Sequence, residues 1–332
     1  MSEKREMRWR WRLLDAGPLL LDGGSMFGVV PRVVWSRTVE ADDRNRIALR
    51  HNCLLLESES VDPSLGRTRR VVVETGTGDK LDAKMAEIFG TGARTVETAV
   101  HEAGLACDEI DTVIVSHLHF DHAGGLTRRT RSGEIPDWRA RPGEASGDCA
   151  DVMRTFPNAE VVVQRREWEV ALANDAVMTR TYYRDHLLPI ADRVRLADSA
   201  RPFPTGVLPH RDETPRVPLS YRETTVLPGV RVFLAPGHTW GQQAIRFVDV
   251  DGRSVVFTPD VMPSVWHVGA AYSLAYDVEP YTSMVTKRWF LEEAARGEWT
   301  LVLDHEPQTP VVRVAANGKG WYDLTPVEGF VR

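Results

Sequence analysis

Residues 112–125 read Thr112-Val113-Ile114-Val115-Ser116-His117-Leu118-His119-Phe120-Asp121-His122-Ala123-Gly124-Gly125. The run TVIVS has the composition of a strand buried on both faces. It delivers the chain directly into three imidazoles and a carboxylate within six residues. Such a density of polar groups behind a core strand is costly unless something binds it. His117 and His119 alternate along an extended chain and point to one side, and the turn that follows lets Asp121 and His122 reach a neighbouring point. One loop thereby serves two metal positions. Gly124 and Gly125 permit the tight turn and close backbone approach that such a loop requires.

Further single ligands are expected from other strand ends, and three positions supply them. His238 ends VRVFLAPGH, where Pro236 and Gly237 set a sharp exit; Asp260 ends SVVFTPD; His305 ends WTLVLDH. Each follows an apolar run and precedes a loop, the pattern of ligands gathered along one edge of a sheet sandwich. His51, His101, His186 and His210 occupy no such position and are read as structural or surface residues.

HLHFDH, a strand-end His in PGHT, an Asp in TPD and a late His together resemble the metallo-β-lactamase superfamily. The match spans approximately residues 70 to 305. The resemblance implies an α/β fold, an αββα four-layer sandwich. Metal one is held by His117, His119 and His238, metal two by Asp121, His122 and His305, with Asp260 as the bridge. A second segment, Leu21-Asp22-Gly23-Gly24-Ser25-Met26-Phe27-Gly28-Val29-Val30-Pro31 with Trp35 soon after, resembles the N-terminal signature of quorum-quenching N-acyl-homoserine lactonases. Read from its residues, DGG followed by Met26 and Phe27 is a flexible turn presenting soft apolar side chains suited to an acyl-chain wall.

The implied chemistry is hydrolysis of a lactone or ester. Two cations lower the pKa of a bridging water and polarise the carbonyl, so hydroxide attacks, the oxyanion leans on metal one, and metal two takes the leaving alkoxide. Asp121 and Asp260 are the catalytic carboxylates, Asp121 helping to position or shuttle the proton. No G-x-S-x-G elbow and no reactive cysteine motif competes with this reading. In the lactonases a tyrosine close after the bridging aspartate assists the carbonyl oxygen, but Val261, Met262 and Pro263 stand there in this chain. Tyr272 and Tyr276 are the substitutes from the following loop. Trp266 and His267 are further pocket candidates. Zinc suits a His/Asp set, as do Mn, Fe and Co.

The same metals serve phosphotriester, thioester and β-lactam cleavage, which are the alternatives within the fold. A metal-stabilised binding module is the non-enzymatic one. A glyoxalase-type thioesterase is disfavoured by the short tail after His305. A diiron flavoprotein carries a carboxylate where His119 stands.

The composition of the full 332 residues is that of an ordinary soluble globular protein: 42% are hydrophobic and 27% charged. A net charge of -6 supplies no attraction for phosphate backbones, so no nucleic-acid partner is expected. Cys53, Cys107 and Cys149 are scattered and lack C-x-x-C spacing, the pattern of reduced cysteines in a cytoplasmic protein. The N-terminus is not a signal peptide and no apolar run reaches the roughly 18 residues of a membrane span. The expected partner is therefore a small-molecule lactone or ester, and a homodimer is the base-rate assembly.

One domain over residues 1–332 is expected, with an N-terminal extension at 1–35 and an exposed loop insertion at 127–150. Strands are predicted at 70–74, 112–116, 159–164, 230–235, 243–248, 254–258 and 299–304, and helices at 94–106, 166–174 and 282–296.

Overall fold

Alternation within short valine-rich strands decides the layering. In the strand Arg67–Val73, Val71 and Val73 point one way and Val72 the other, and all three are fully buried. Leu54 and Leu56 oppose Leu55, Ile114 opposes Val113 and Val115, and Val162 opposes Val161 and Val163. A strand buried on both faces needs a layer on each side.

The computed structural model describes residues 6–174, 179–204 and 207–330. A six-stranded sheet runs, in spatial order, Trp9–Asp22, Arg46–Asp62, Arg67–Val73, Thr112–Ile114, Glu160–Gln164 and Val194–Ala197. Its first three strands are antiparallel and the rest parallel. A seven-stranded sheet runs in chain order from Thr224–Leu227 to Tyr322–Pro326, antiparallel except where Ser254–Thr258 lies parallel to Thr300–Leu303. Between the sheets lie Leu54, Leu56, Val71, Val73 and Ile114 from one, and Val232, Ile245, Phe247, Phe257 and Val302 from the other.

The outer faces are covered by helices. Val72, Val113 and Val161 pack against Val96, Val100 and Trp168, which belong to the helices Val96–Glu102 and Arg165–Ala173. Phe233, Val256 and Leu301 pack against Val285, Trp289 and Phe290 of the helix Pro280–Arg296. The order is helix, sheet, sheet, helix. Among the described residues no helix is long and apolar enough to cross a membrane.

Two segments differ from their sequence reading. Of the expected N-terminal extension 1–35, residues 1–5 lie outside the described residues, and Trp9–Asp22 is a full edge strand, paired with the next from Trp9 opposite Ser58 to Asp22 opposite Arg46. Its register breaks between Asp15 and Pro18, where Pro18 has no N–H to offer the ladder and Gly17 adopts φ 113°. Within the segment 127–150, expected as loop, Thr127–Arg129 and Trp138–Arg139 flank the strand Asp151–Arg154 in a separate three-stranded sheet. Its strands are two to four residues long, too short to show a period of two in sequence.

Candidate metal centre

Strand ends from both sheets deliver buried imidazoles and carboxylates to one place. After Thr112–Ile114 the chain stays extended through His117 and His119, then closes a helical turn, Phe120–Ala123, that carries Asp121 and His122. The next two residues press against backbone: a Cβ on Gly124 would overlap the Thr77 carbonyl, and one on Gly125 the Thr75 carbonyl. Gly237, at φ 135° and packed against Ser283, turns the end of Val230–Leu234 so that His238 faces His119. Asp260 follows Ser254–Thr258, and His305 follows Thr300–Leu303.

The carboxylate of Asp260 is the hub. Its Oδ2 lies 3.0 Å from His238 Nε2, 3.7 Å from His122 Nε2 and 3.9 Å from His117 Nε2, while Oδ1 lies 3.6 Å from His305 Nε2. His119 Nδ1 and His238 Nε2 approach to 2.9 Å, and His122 Nε2 and His305 Nε2 to 3.1 Å. Asp121 sits 3.7 Å from His305 Nε2 and 3.9 Å from His122 Nε2. All seven side chains singled out in the sequence therefore meet, three imidazoles on one side of Asp260 and two with Asp121 on the other. Burial, reinforced by neighbouring imidazoles, pushes the His117 and His119 pKa values well down. At His122 and His238 burial acts in the same sense, but the carboxylates around them prevail and the values rise. Burial alone would raise Asp260; His238, His305 and His122 hold it well below the usual carboxylate range.

These donors fit a pair of divalent cations. His305 Nδ1–H donates to the Arg50 carbonyl at 3.0 Å, and His238 Nδ1–H to Asp277 Oδ1 at 2.9 Å. His122 Nδ1 is 3.3 Å from Glu74 Oε2, and His117 Nδ1 is 3.0 Å from Ser116 Oγ. In these four the Nδ1 is committed and the Nε2 lone pair is left facing inward, which is how imidazole ligands are commonly oriented, whereas His119 turns its Nδ1 inward toward His238. His117 Nε2 and Asp260 Oδ1, both buried, have no hydrogen-bond partner among the described residues. Tetrahedral ligands at ~2.0 Å from a cation are ~3.3 Å apart, close to the His119–His238 and His122–His305 separations.

Four residues that the sequence reading did not select complete the surroundings. Glu74, non-glycine at φ 67°, accepts the Ser116 N–H and orients His122. Glu167, fully buried at the start of Arg165–Ala173, accepts Leu118 N–H at 3.0 Å, Thr239 Oγ1–H at 2.6 Å and Tyr182 O–H at 3.3 Å, tying both loops of metal position one together. Asp277 orients His238. Asp304 precedes His305, and its carboxylate lies within reach of His122, Asp260 and His305. Only Asp304 had a sequence signal, its place at the same strand end.

A cavity of about 400 Å³ opens onto the centre. His119, Asp121, His238, Asp260 and His305 form its floor; Leu21, Met26, Phe89, Phe120 and Tyr276 form apolar walls, with Arg180 and Thr181 beside them. Of the six residues proposed as pocket lining, Met26 and Tyr276 face this cavity. The other four require correction. Phe27 stacks between Trp35 and His267, with centroids at 5.2 and 5.0 Å, because the DGGSMF segment is a helical turn rather than a flexible one. Asp22 caps it by accepting Ser25 N–H at 2.7 Å. Tyr272 meets Phe27 edge-on and Trp266 packs in the same cluster. His267 donates through Nε2 to the Met26 carbonyl at 2.8 Å, so it supports the wall from behind.

The architecture has counterparts among solved structures. A probable metal-dependent hydrolase from Staphylococcus aureus superposes with a TM-score of 0.73 at 23% identity, covering 98% of this chain and 100% of that one. AidC, a dizinc quorum-quenching lactonase, gives 0.67 at 14%, covering 98% and 96%. The hydrolase AbOPH in the beta lactamase superfamily gives 0.65 at 16%, covering 98% and 99%. The chain has the metallo-β-lactamase fold. In sequence, this metallo-β-lactamase-fold chain is 26% identical over 161 residues to an N-acyl homoserine lactonase of Bacillus thuringiensis, which is 47% of this chain and 40% of that relative. The match thus spans less than half the length of the relative. The family model for the anti-Pycsar protein Apyc1 matches residues 90–132.

Two expectations follow from the supports of the centre. Asp277→Asn, which keeps the shape and removes the charge behind His238, is expected to weaken metal binding by 10–100-fold with little change in fold, read by metal titration and circular dichroism. Lys287 on the helix Pro280–Arg296 is fully buried, donates to the Tyr272 carbonyl at 2.6 Å, and is driven by burial from 10.5 to about 7. The unfolded chain then binds more protons than the folded one between those values, so this group's penalty is full below pH ~7 and fades toward pH ~10. Lys287→Met is therefore expected to lessen the rise of stability with pH across that window, measured by urea unfolding at several pH values.

Proposed function

We propose that the chain is a dinuclear metal-dependent hydrolase that opens the ester bond of a lactone bearing an apolar acyl tail, N-acyl-homoserine-lactone-like in kind. The observation that carries this reading is the cavity itself: a floor of metal-ligand side chains beneath walls of Leu21, Met26, Phe89, Phe120 and Tyr276. A polar bond to be cut belongs on the floor, and an aliphatic chain belongs on the walls. The partial likeness to a lactonase and the fold shared with AidC support the same substrate class.

His117, His119 and His238 would hold one cation, Asp121, His122 and His305 the other, and Asp260 would join them. Such a pair, zinc in the first instance, supplies Lewis acidity and a hydroxide at neutral pH. The chain's own groups then do the positioning. Phe89 and Phe120, with ring centroids 4.7 Å apart, clamp the tail and exclude water from it. Burial pushes the Tyr276 phenol up, so it remains a donor at neutral pH and can serve the substrate carbonyl oxygen from the cavity wall. The new C–O bond forms at the carbonyl carbon as the ring C–O bond breaks. Asp121, open to the cavity, relays the proton to the departing alkoxide oxygen.

The test combines metal analysis of purified protein with turnover of acyl-homoserine lactones, an aryl ester and a phosphotriester before and after chelation. Two metals per chain and chelator-sensitive lactone opening as the best activity are expected. Preference for another ester would discard the lactone assignment, and bound metal without turnover would indicate a binding module. Tyr276→Phe is expected to lower kcat on the order of 10²-fold at unchanged metal content, and Asp260→Ala to lose both metals.

A further inference from the structure

The second metal position holds more donors than the seven-residue pattern provides. Asp304 ends the strand Thr300–Leu303 immediately before His305 and is only 2% exposed. Neither of its carboxylate oxygens has a hydrogen-bond partner among the described residues. A ligand atom of Asp304 lies within 4.8 Å of those of His122, Asp260 and His305, a mutual grouping that does not include Asp121.

Asp304 also borders a small cavity of about 10 Å³ beside the larger one, where Glu74, Asp121, His122 and His305 meet His51, Asn52 and Cys53. That is room for one water molecule or one small ion. No Lys or Arg is among its lining residues, whereas three of them are carboxylates. A buried carboxylate beside other carboxylates, with no hydrogen bond of its own, is strongly unfavourable. A divalent cation is the partner that relieves it.

We propose that Asp304 is a ligand of the second metal position, completing there a set of three carboxylates, Asp121, Asp260 and Asp304, with His122 and His305. The proposal rests on the two-metal reading above. Its consequence is a division between the two sites. Position one, with three imidazoles and one shared carboxylate, suits four-coordinate zinc. Position two, richer in oxygen and with five protein donors, suits a harder and more highly coordinated cation such as Mn, Fe(II) or Co(II).

Asp304→Asn keeps the volume and removes the anionic donor. Wild type and variant would be stripped of metal, titrated with Co(II), analysed for metal per chain, and unfolded with and without metal. Wild type is expected to take two ions, the second giving the weak visible absorption of five- or six-coordinate cobalt. The variant is expected to keep the first ion at wild-type affinity and to bind the second at least tenfold more weakly, with an altered cobalt spectrum. The apo variant should be as stable as apo wild type or more so, because a buried unpaired charge has gone, while the gain in Tm on adding metal shrinks. A merely structural Asp304 would give the reverse, a less stable apo protein with the second ion's affinity and spectrum unchanged, and that result overturns the proposal. Asp304→Ser repeats the comparison if the Asn variant does not fold. Wild type binding fewer than two ions would sink the two-metal reading and this assignment with it; wild type binding two ions and a variant binding two equally well would sink this assignment alone.

Discussion

Everything in this molecule is arranged around one buried carboxylate, Asp260, with four imidazole nitrogens between 3.0 and 3.9 Å from it. Removing so many polar groups from water is costly, and hydrogen bonds among them do not repay it, because several of the inward-facing nitrogens and oxygens have no partner. Divalent cations would repay it by accepting the lone pairs at once. The fold's task is to hold acceptor groups together that would otherwise repel or seek solvent. Two sheets packed face to face do so, since each strand end fixes one backbone position within a rigid ladder.

Rigidity at the strand ends is extended to the loops by buried acceptors. Glu167 takes N–H and O–H groups from the loops that carry His119 and His238, and so couples a segment of the first sheet to one of the second. Glu74 does the same between the end of Arg67–Val73 and the Ser116–His122 loop. The outer helix Pro280–Arg296 contributes by contact, with Ser283 pressed against Gly237 just before His238. Packing in the outer layer and ligand geometry in the centre are thus one mechanical system.

The wall of the substrate cavity is a separate assembly. The end of the first strand and the turn after it supply Leu21 and Met26; the 264–277 loop supplies Tyr276. These two pieces are bound to each other, through His267 to the Met26 carbonyl and through Ala275 N–H to the Ser25 carbonyl at 2.8 Å. Lys287 fixes the loop from behind by donating to Tyr272. Residues far apart in sequence therefore shape one apolar surface above a floor set by the metal ligands. The apolar wall and the polar floor come largely from different segments of the chain, and Phe120 joins them, standing between His119 and Asp121.

The ligand positions were legible in the sequence because their chemistry is concentrated. HLHFDH packs its donors into six residues behind an apolar strand, and His238, Asp260 and His305 each stand where such a strand ends. The buried strands of the core were legible for a related reason, since a valine-rich run buried on both faces needs no partner to be recognised. The first strand was not, because its pairing with Arg46–Asp62 is what makes it an edge rather than an extension. Glu74, Glu167 and Asp277 stand alone among ordinary residues, and the residues of the 116–118 and 238–239 loops that they hold lie 39 to 72 positions away. Met26 and Phe27 are adjacent and equally apolar, yet one faces the cavity and the other stacks on Trp35. By itself the sequence determined which imidazoles and carboxylates come together and at which strand ends they sit, because local composition encodes both. Which acidic groups surround them, and which apolar side chains face the cavity above them, only the tertiary structure decided, because both depend on contacts between segments distant in sequence.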